Sequence, residues 1–378
     1  MLVTEIKDRV GRLKKFLIQD PQNISLHLDL IRQLSLLGDI ESLTNHLETV
    51  KKLYPSHPGV LYEESLLFMS TGDFGAAEGN LKQILSQGET DGEVLYLTAY
   101  CCLMRSSPQE AFSYLETCYQ ENRDNIRFPI LMARIQYFLR ALDNVEECLQ
   151  EALGLDAESV EALSLLASCK LDQSDYKAAK FYADKVLALS PDEANALGVL
   201  AYCNMADMEF DDAQALISRA LDVKSDSGRL WIGQALLSMR REELAMAEAQ
   251  FVKGLSYMPG HIGSWNALAW CRILLSDLQG AMDCCEKAIE LDRGFGETYG
   301  ALAVVELFAG NIESARLNAK KAIRLDKANF SGFFAQALCD HISGNEQKAS
   351  EIILSLLNSP VDESGKKLTD YLSGFIIA

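Results

Sequence analysis

The chain has 378 residues, 48% of them hydrophobic, which is enough for one large core or two ordinary domains. Acidic residues number 54 against 35 basic ones, a formal net charge of −19. A field of that sign repels phosphate backbones and anionic membrane surfaces, so nucleic acid is excluded as a partner at this level.

The opening residues, MLVTEIKDRVGRLKKF, lack the basic start, apolar run and small-residue cleavage site of a signal peptide. No stretch approaches the ~18 uninterrupted apolar residues of a spanning helix, so direct membrane insertion is not expected. Ten cysteines occur and none forms a CxxC pair. Cysteine used as a small hydrophobe points to a reducing compartment, hence a cytoplasmic protein.

In chain order, Val3 to Asp20 comes first, with apolar Ile6, Val10, Leu13 and Leu17 on one helical face and Pro21 after it. It reads as a capping helix within residues 1–23. A window from Ile24 to His57 then repeats in ten gapless copies, the last ending at Glu363. The eighth column holds Ala99, Ala133, Ala167, Ala201, Ala235, Ala269, Ala303 and Ala337. The twentieth holds Ala77, Ala111, Ala179, Ala213, Ala247, Ala281, Ala315 and Ala349. Two antiparallel helices meet tightly only where both side chains are small. The fourth column supplies large residues around the crossing, Leu61, Leu95, Leu163, Leu197, Trp231, Trp265, Tyr299 and Phe333. Gly38, Gly72, Gly310 and Gly344 mark the turn between the helices, and Pro55, Pro191 and Pro259 the end of the second helix. Residues 364–378 read as a C-terminal capping helix. Its apolar end, FIIA, packs on the last repeat or meets a second chain, which leaves homo-oligomers through the chain ends open.

This pattern resembles the tetratricopeptide repeat (TPR), a helix–turn–helix unit of about 34 residues. The resemblance spans about nine-tenths of the chain. It implies an all-α, right-handed superhelical solenoid of about ten TPR units with terminal capping helices. The family's glycine at the eighth position is alanine here, and its aromatic at the eleventh is mostly absent, with Lys170, Asn204 and Arg272 standing there.

The resemblance also implies that the first helix of each pair lines a concave groove through its second, fifth, ninth and twelfth positions. Carried onto this chain, those columns give Tyr62, Tyr96, Tyr100, Arg127, Arg134, Tyr137, Tyr202, Met205, Met239 and Trp270 as groove residues. Tyrosine offers contact area at low entropic cost and methionine adapts to irregular partners. The family's carboxylate-clamping lysine and asparagine are missing from the fifth and ninth columns, and the asparagine ladder of its glycosyltransferase members is missing from the sixth.

Cys101, Cys169, Cys203, Cys271 and Cys339 share the tenth column and read as packing. His27, His46, His57, His261 and His341 show no i+3 or i+4 pairing and read as surface or turn residues. GFGETYG, Gly294 to Gly300, lacks a preceding strand and reads as a turn. No catalytic constellation, metal site or cofactor motif emerges. The expectation is a non-catalytic cytoplasmic scaffold or chaperone-like adaptor. Its partner would be a protein or peptide with apolar anchors, held in the groove. A regulatory module for a small ligand, or an enzyme with its site in the groove, are the alternatives.

Overall fold

The computed structural model describes residues 2–88 and 90–358, and the expected helix at 364–378 lies outside them. The described residues form twenty-one helices and no strand, the composition of an all-α superhelical repeat. They divide into two compact units, Met1–Leu189 and Ser190–Ala378.

In the first unit α1 (Leu2–Gln19) precedes five helix pairs. These are α2 (Ile24–Leu37) with α3 (Ile40–Leu53), α4 (Pro58–Ser70) with α5 (Phe74–Ser86), α6 (Gly92–Met104) with α7 (Pro108–Tyr119), α8 (Arg127–Phe138) with α9 (Leu142–Leu155), and α10 (Val160–Asp172) with α11 (Tyr176–Leu189). The second unit holds α12 (Ala194–Ala206) with α13 (Phe210–Val223), α14 (Gly228–Arg240) with α15 (Leu244–Tyr257), α16 (Ile262–Leu274) with α17 (Leu278–Leu291), α18 (Gly296–Phe308) with α19 (Ile312–Leu325), and α20 (Phe330–Ile342) with α21 (Glu346–Asn358). From Ile40 to Glu346, the second helices of successive pairs start at an unvarying interval of one repeat.

Each helix starts and stops for local reasons. The side-chain oxygens of Asn23, Asp73, Asp277 and Asn329 accept from free backbone N–H groups in the first turns of their helices. The turn inside each pair demands a left-handed residue. Gly38, Gly72, Ser106, Arg140, Ser174, Met208, Glu242, Ser276, Gly310 and Gly344 all have φ between 60° and 86°. Only four of the ten are glycine. The six others are held by a Schellman closure: Met208 N–H donates to Met205 O at 3.2 Å, and Glu209 N–H to Asn204 O at 2.7 Å.

All sixteen alanines of the eighth and twentieth columns are buried, where the two helices of a pair cross. One close approach is that of α14 and α15, where a Cβ on Gly228 would lie 2.8 Å from Gly254 O. Trp231 and Trp265 keep their indole N–H groups satisfied on Ser225 O and Pro259 O, each at 2.8 Å. Val10 and Leu13 of α1 bury into the cluster of Leu30, Ile31, Leu34, Leu43, Leu47 and Val50, so α1 closes the open face of the first pair.

First helices of successive pairs also touch one another directly: α2 with α4, α6 with α8 and α8 with α10 in the first unit; α12 with α14, α16 with α18 and α18 with α20 in the second. This places the expected groove columns side by side within each unit.

Candidate functional site

In the first unit the first-helix face carries Tyr62, Tyr96, Tyr100, Arg127, Arg134 and Tyr137. Tyr62, Tyr96, Tyr100 and Tyr137 are half-buried. Tyr96 tilts against Phe128 with ring centroids 5.0 Å apart, and Tyr100 meets Phe74 edge-on at 6.0 Å. Burial pushes the phenols of Tyr62 and Tyr96 above their ordinary pKa, so both remain neutral donors.

Both arginines expected in the groove are engaged within the chain. Arg127 bonds Glu93 through both terminal nitrogens at 3.0 Å, and its guanidinium carbon lies 4.3 Å from the Tyr96 centroid. Arg134 pairs with Glu161 at 2.7 Å. Tyr137 donates to Asp172, and Arg32 pairs with Glu63 at 2.7 Å. Each of these links joins neighbouring repeats. The sequence reading missed their acidic halves because Glu93 and Arg127 stand a full repeat apart, in one column, where only the stacking of repeats brings them together.

In the second unit Tyr202 donates to Arg229 O at 2.8 Å. Met205 packs on Ala201, Ala213, Ile217 and Leu237. Met239 and Trp270 pack on Phe251, Leu268 and their neighbours. Trp270 also meets Phe334 at 6.4 Å, and Phe334 stacks on Phe330 at 6.1 Å. Near Trp270, Glu297 accepts from Ser331 Oγ and from Asn329 Nδ2 at 3.1 Å. Sequence reading passed over Glu297, Ser331 and Asn329.

Profiles described as tetratricopeptide repeat match residues 62–125, 170–237 and 262–295, in both units. The chain carries tetratricopeptide repeats. Such repeats generally mediate protein–protein interaction, and scaffolds built from them are typically non-enzymatic. No curated protein sequence matches the chain. Among solved structures it is similar to the human IFIT1 dimer with m7Gppp-AAAA, at 14% identity and a TM-score of 0.56, covering 92% of this chain and 94% of that one. It is also similar to an IFIT1 monomeric mutant with Gppp-AAAA, at 15% identity and a TM-score of 0.58, over the same shares.

That likeness concerns the fold, and it overturns the exclusion of nucleic acid. TPR-type solenoids of this kind are solved with capped RNA, so the architecture does not forbid it. The exclusion rested on summed charge, and a sum conceals local fields. On α1 the exposed Lys7, Arg9, Arg12, Lys14 and Lys15 outnumber Glu5 and Asp8, within a chain of net charge −19.

The remaining candidates of this TPR chain resolve into packing. All ten cysteines are free, and nine are buried. Burial raises the thiols of Cys101, Cys102 and Cys285 to about 12. Glu78, Cys102 and Glu110 converge closely enough to hold an ion, but the Lys82 ammonium reaches both carboxylates at 2.5 Å, and Arg105 takes Glu78 at 2.7 Å. The histidine reading needs correction. His27 is 5% exposed, its Nδ1 lies 3.1 Å from His46 Nε2, and its Nε2 lies 3.0 Å from Pro21 O. The two histidines sit on different helices, α2 and α3, far beyond any i+4 search. No helix among the described residues is long and apolar enough to cross a membrane.

Proposed function

We propose that the protein is a non-catalytic adaptor whose first-helix faces hold a peptide or helix by apolar anchors. One observation carries this reading. Tyr96 and Tyr100 present half-buried rings one helical turn apart on α6, while Arg127 and Glu93 beside them neutralise each other. What remains there is amphipathic aromatic surface held in place by its packing, the chemistry of an interface anchor. Met205, Met239 and Trp270 give the second unit a softer surface of the same class. Ten free thiols suit a reducing, cytoplasmic setting.

The test is capture of partners from native extract with the wild type and with the Tyr96→Ala/Tyr100→Ala variant, followed by calorimetry on the captured partner. Binding weakened by about 2 kcal/mol or more, with helical content unchanged, supports the reading. Equal binding by both proteins overturns it. The neighbouring structures name a second ligand to include: m7Gppp-AAAA, titrated in parallel. Tight binding of that oligonucleotide with no captured protein also overturns the reading.

A further inference from the structure

The first unit shows how this repeat treats a glutamate at the second position of the first helix. Glu93 receives Arg127 from the same column of the next repeat. Glu161 receives Arg134 from the ninth column of the repeat before it. Glu297 occupies the same column in α18. In the same column of the next repeat stands Ser331, and in the ninth column of the repeat before stands Trp270. Both positions that deliver a cation in the first unit have lost it here. Among the described residues no cation pairs with Glu297, and its hydrogen-bond partners are the neutral donors Ser331 and Asn329.

The carboxylate is nonetheless well framed. Trp270 stands next to Glu297, in the register that sets Arg134 against Glu161; Phe334 and Phe330 continue it as a run of rings, and Phe330 is 44% exposed, so the run opens to solvent. Aromatic faces attract cations, and a carboxylate behind them completes the field such a group seeks. The α18 dipole also favours a negative charge in the first turn. Even so, burial is the largest influence on this carboxyl, ahead of its hydrogen bonds, and raises it above its ordinary pKa. Its negative charge is under-stabilised until a positive one arrives.

We propose that Glu297, with Trp270, Phe334 and Phe330 as its walls, receives a lysine or arginine side chain of the partner. The site rests on the adaptor reading given above and adds to it one element of sequence: a basic residue beside the apolar anchors. The missing internal arginine is then supplied by the ligand, in the geometry that the first unit builds from its own chain.

The test uses small probes on the full chain. The indole N–H signal of Trp270, assigned by its loss in Trp270→Phe, is followed by NMR. Nα-acetyl-argininamide, Nα-acetyl-lysinamide and the neutral N-acetyl-norleucinamide are added in turn. A saturable shift with one or both cationic probes is expected, and little with the neutral one. In Glu297→Gln, whose amide oxygen can accept from Asn329 while its NH2 donates to Ser331 Oγ, affinity should fall about tenfold, the scale of losing a charge-assisted contact. Phe330→Leu should weaken it several-fold without altering the carboxyl. No shift with either cation, an equal response to the neutral probe, or undiminished binding in Glu297→Gln overturns the proposal. The Tyr96→Ala/Tyr100→Ala result is read separately, so failure of the adaptor reading is distinguishable from failure of this site.

Discussion

The Arg127 guanidinium stacks 4.3 Å from the centroid of the Tyr96 ring while its two terminal nitrogens hold Glu93. One side chain on α8 thereby fixes the orientation of a ring and of a carboxylate on α6. Arg127→Leu should cost about 1 kcal/mol, the sum expected of an exposed cation–π contact and a solvent-exposed ion pair. Urea unfolding at low and high salt checks this. The loss should shrink at high salt, since only the ion-pair part is screened.

The six non-glycine residues in left-handed turns are an unexploited reserve of stability. Met208 has φ 66° and Glu242 φ 62°. Glycine removes the Cβ strain there, against a smaller loss through the freer unfolded chain. Met208→Gly and Glu242→Gly should each stabilise by about 0.5–1 kcal/mol. Glycine placed one residue earlier, at Asp207 or Arg241, should destabilise instead. Thermal unfolding followed by circular dichroism distinguishes them.

The crossing of α14 and α15 should tolerate no Cβ. At Gly228 it would meet Gly254 O at 2.8 Å and the Met258 side chain at 2.7 Å. The methionine can move, but the carbonyl cannot. Gly228→Ala should cost about 2 kcal/mol, in the range of overpacked cores. Gly79 of α5 has nothing within 4 Å of its Cβ position, and Gly79→Ala should stabilise by several tenths of a kcal/mol. Denaturant midpoints for the two variants should move in opposite directions.

The His27–His46 contact sets an acid response. Burial, His27 and Lys14 lower His46 from 6.5 to about 4. The neutral form is therefore favoured in the folded state. Its contribution to stability is complete above pH 6.5 and declines as pH falls from 6.5 to 4, where the unfolded chain binds the proton and the folded one does not. His46 is half-exposed, so solvent screening holds the effect to about 1 kcal/mol. His46→Gln should flatten the wild-type slope across that window in pH-dependent thermal unfolding.

The cysteines should behave as unreactive methyl-sized groups. Cys169 titrates at about 11 and Cys285 at about 12 because burial disfavours the thiolate. At pH 8 a thiol reagent should label the native protein slowly and the urea-unfolded protein at once. Cys169→Ala, Cys203→Ala and Cys271→Ala should each cost on the order of 1 kcal/mol. Fast native labelling at Cys169 or Cys285 would contradict the burial argument.

The sequence by itself determined the repeat. Alanines at two columns, turns at a third and large residues at a fourth are local demands of one helix pair, and the chain states most of them again in most windows. The buried alanines were legible because each depends on neighbours within one window or the next. The left-handed turn was legible only where glycine marks it; at Met208 and Glu242 the Schellman bonds impose it on residues that give no sign. Tertiary structure alone decided the partners of the charged and aromatic side chains. Arg127 reads as a groove residue in sequence, and it becomes a clasp once α6 and α8 pack and bring Glu93 beside it. Glu297 reads as one carboxylate among many, and it stands out only when Ser331 and Trp270 are seen in the places where arginines stand in the first unit. Composition sums over the chain, whereas a site depends on which few groups share a volume, and that is fixed by the stacking of helices.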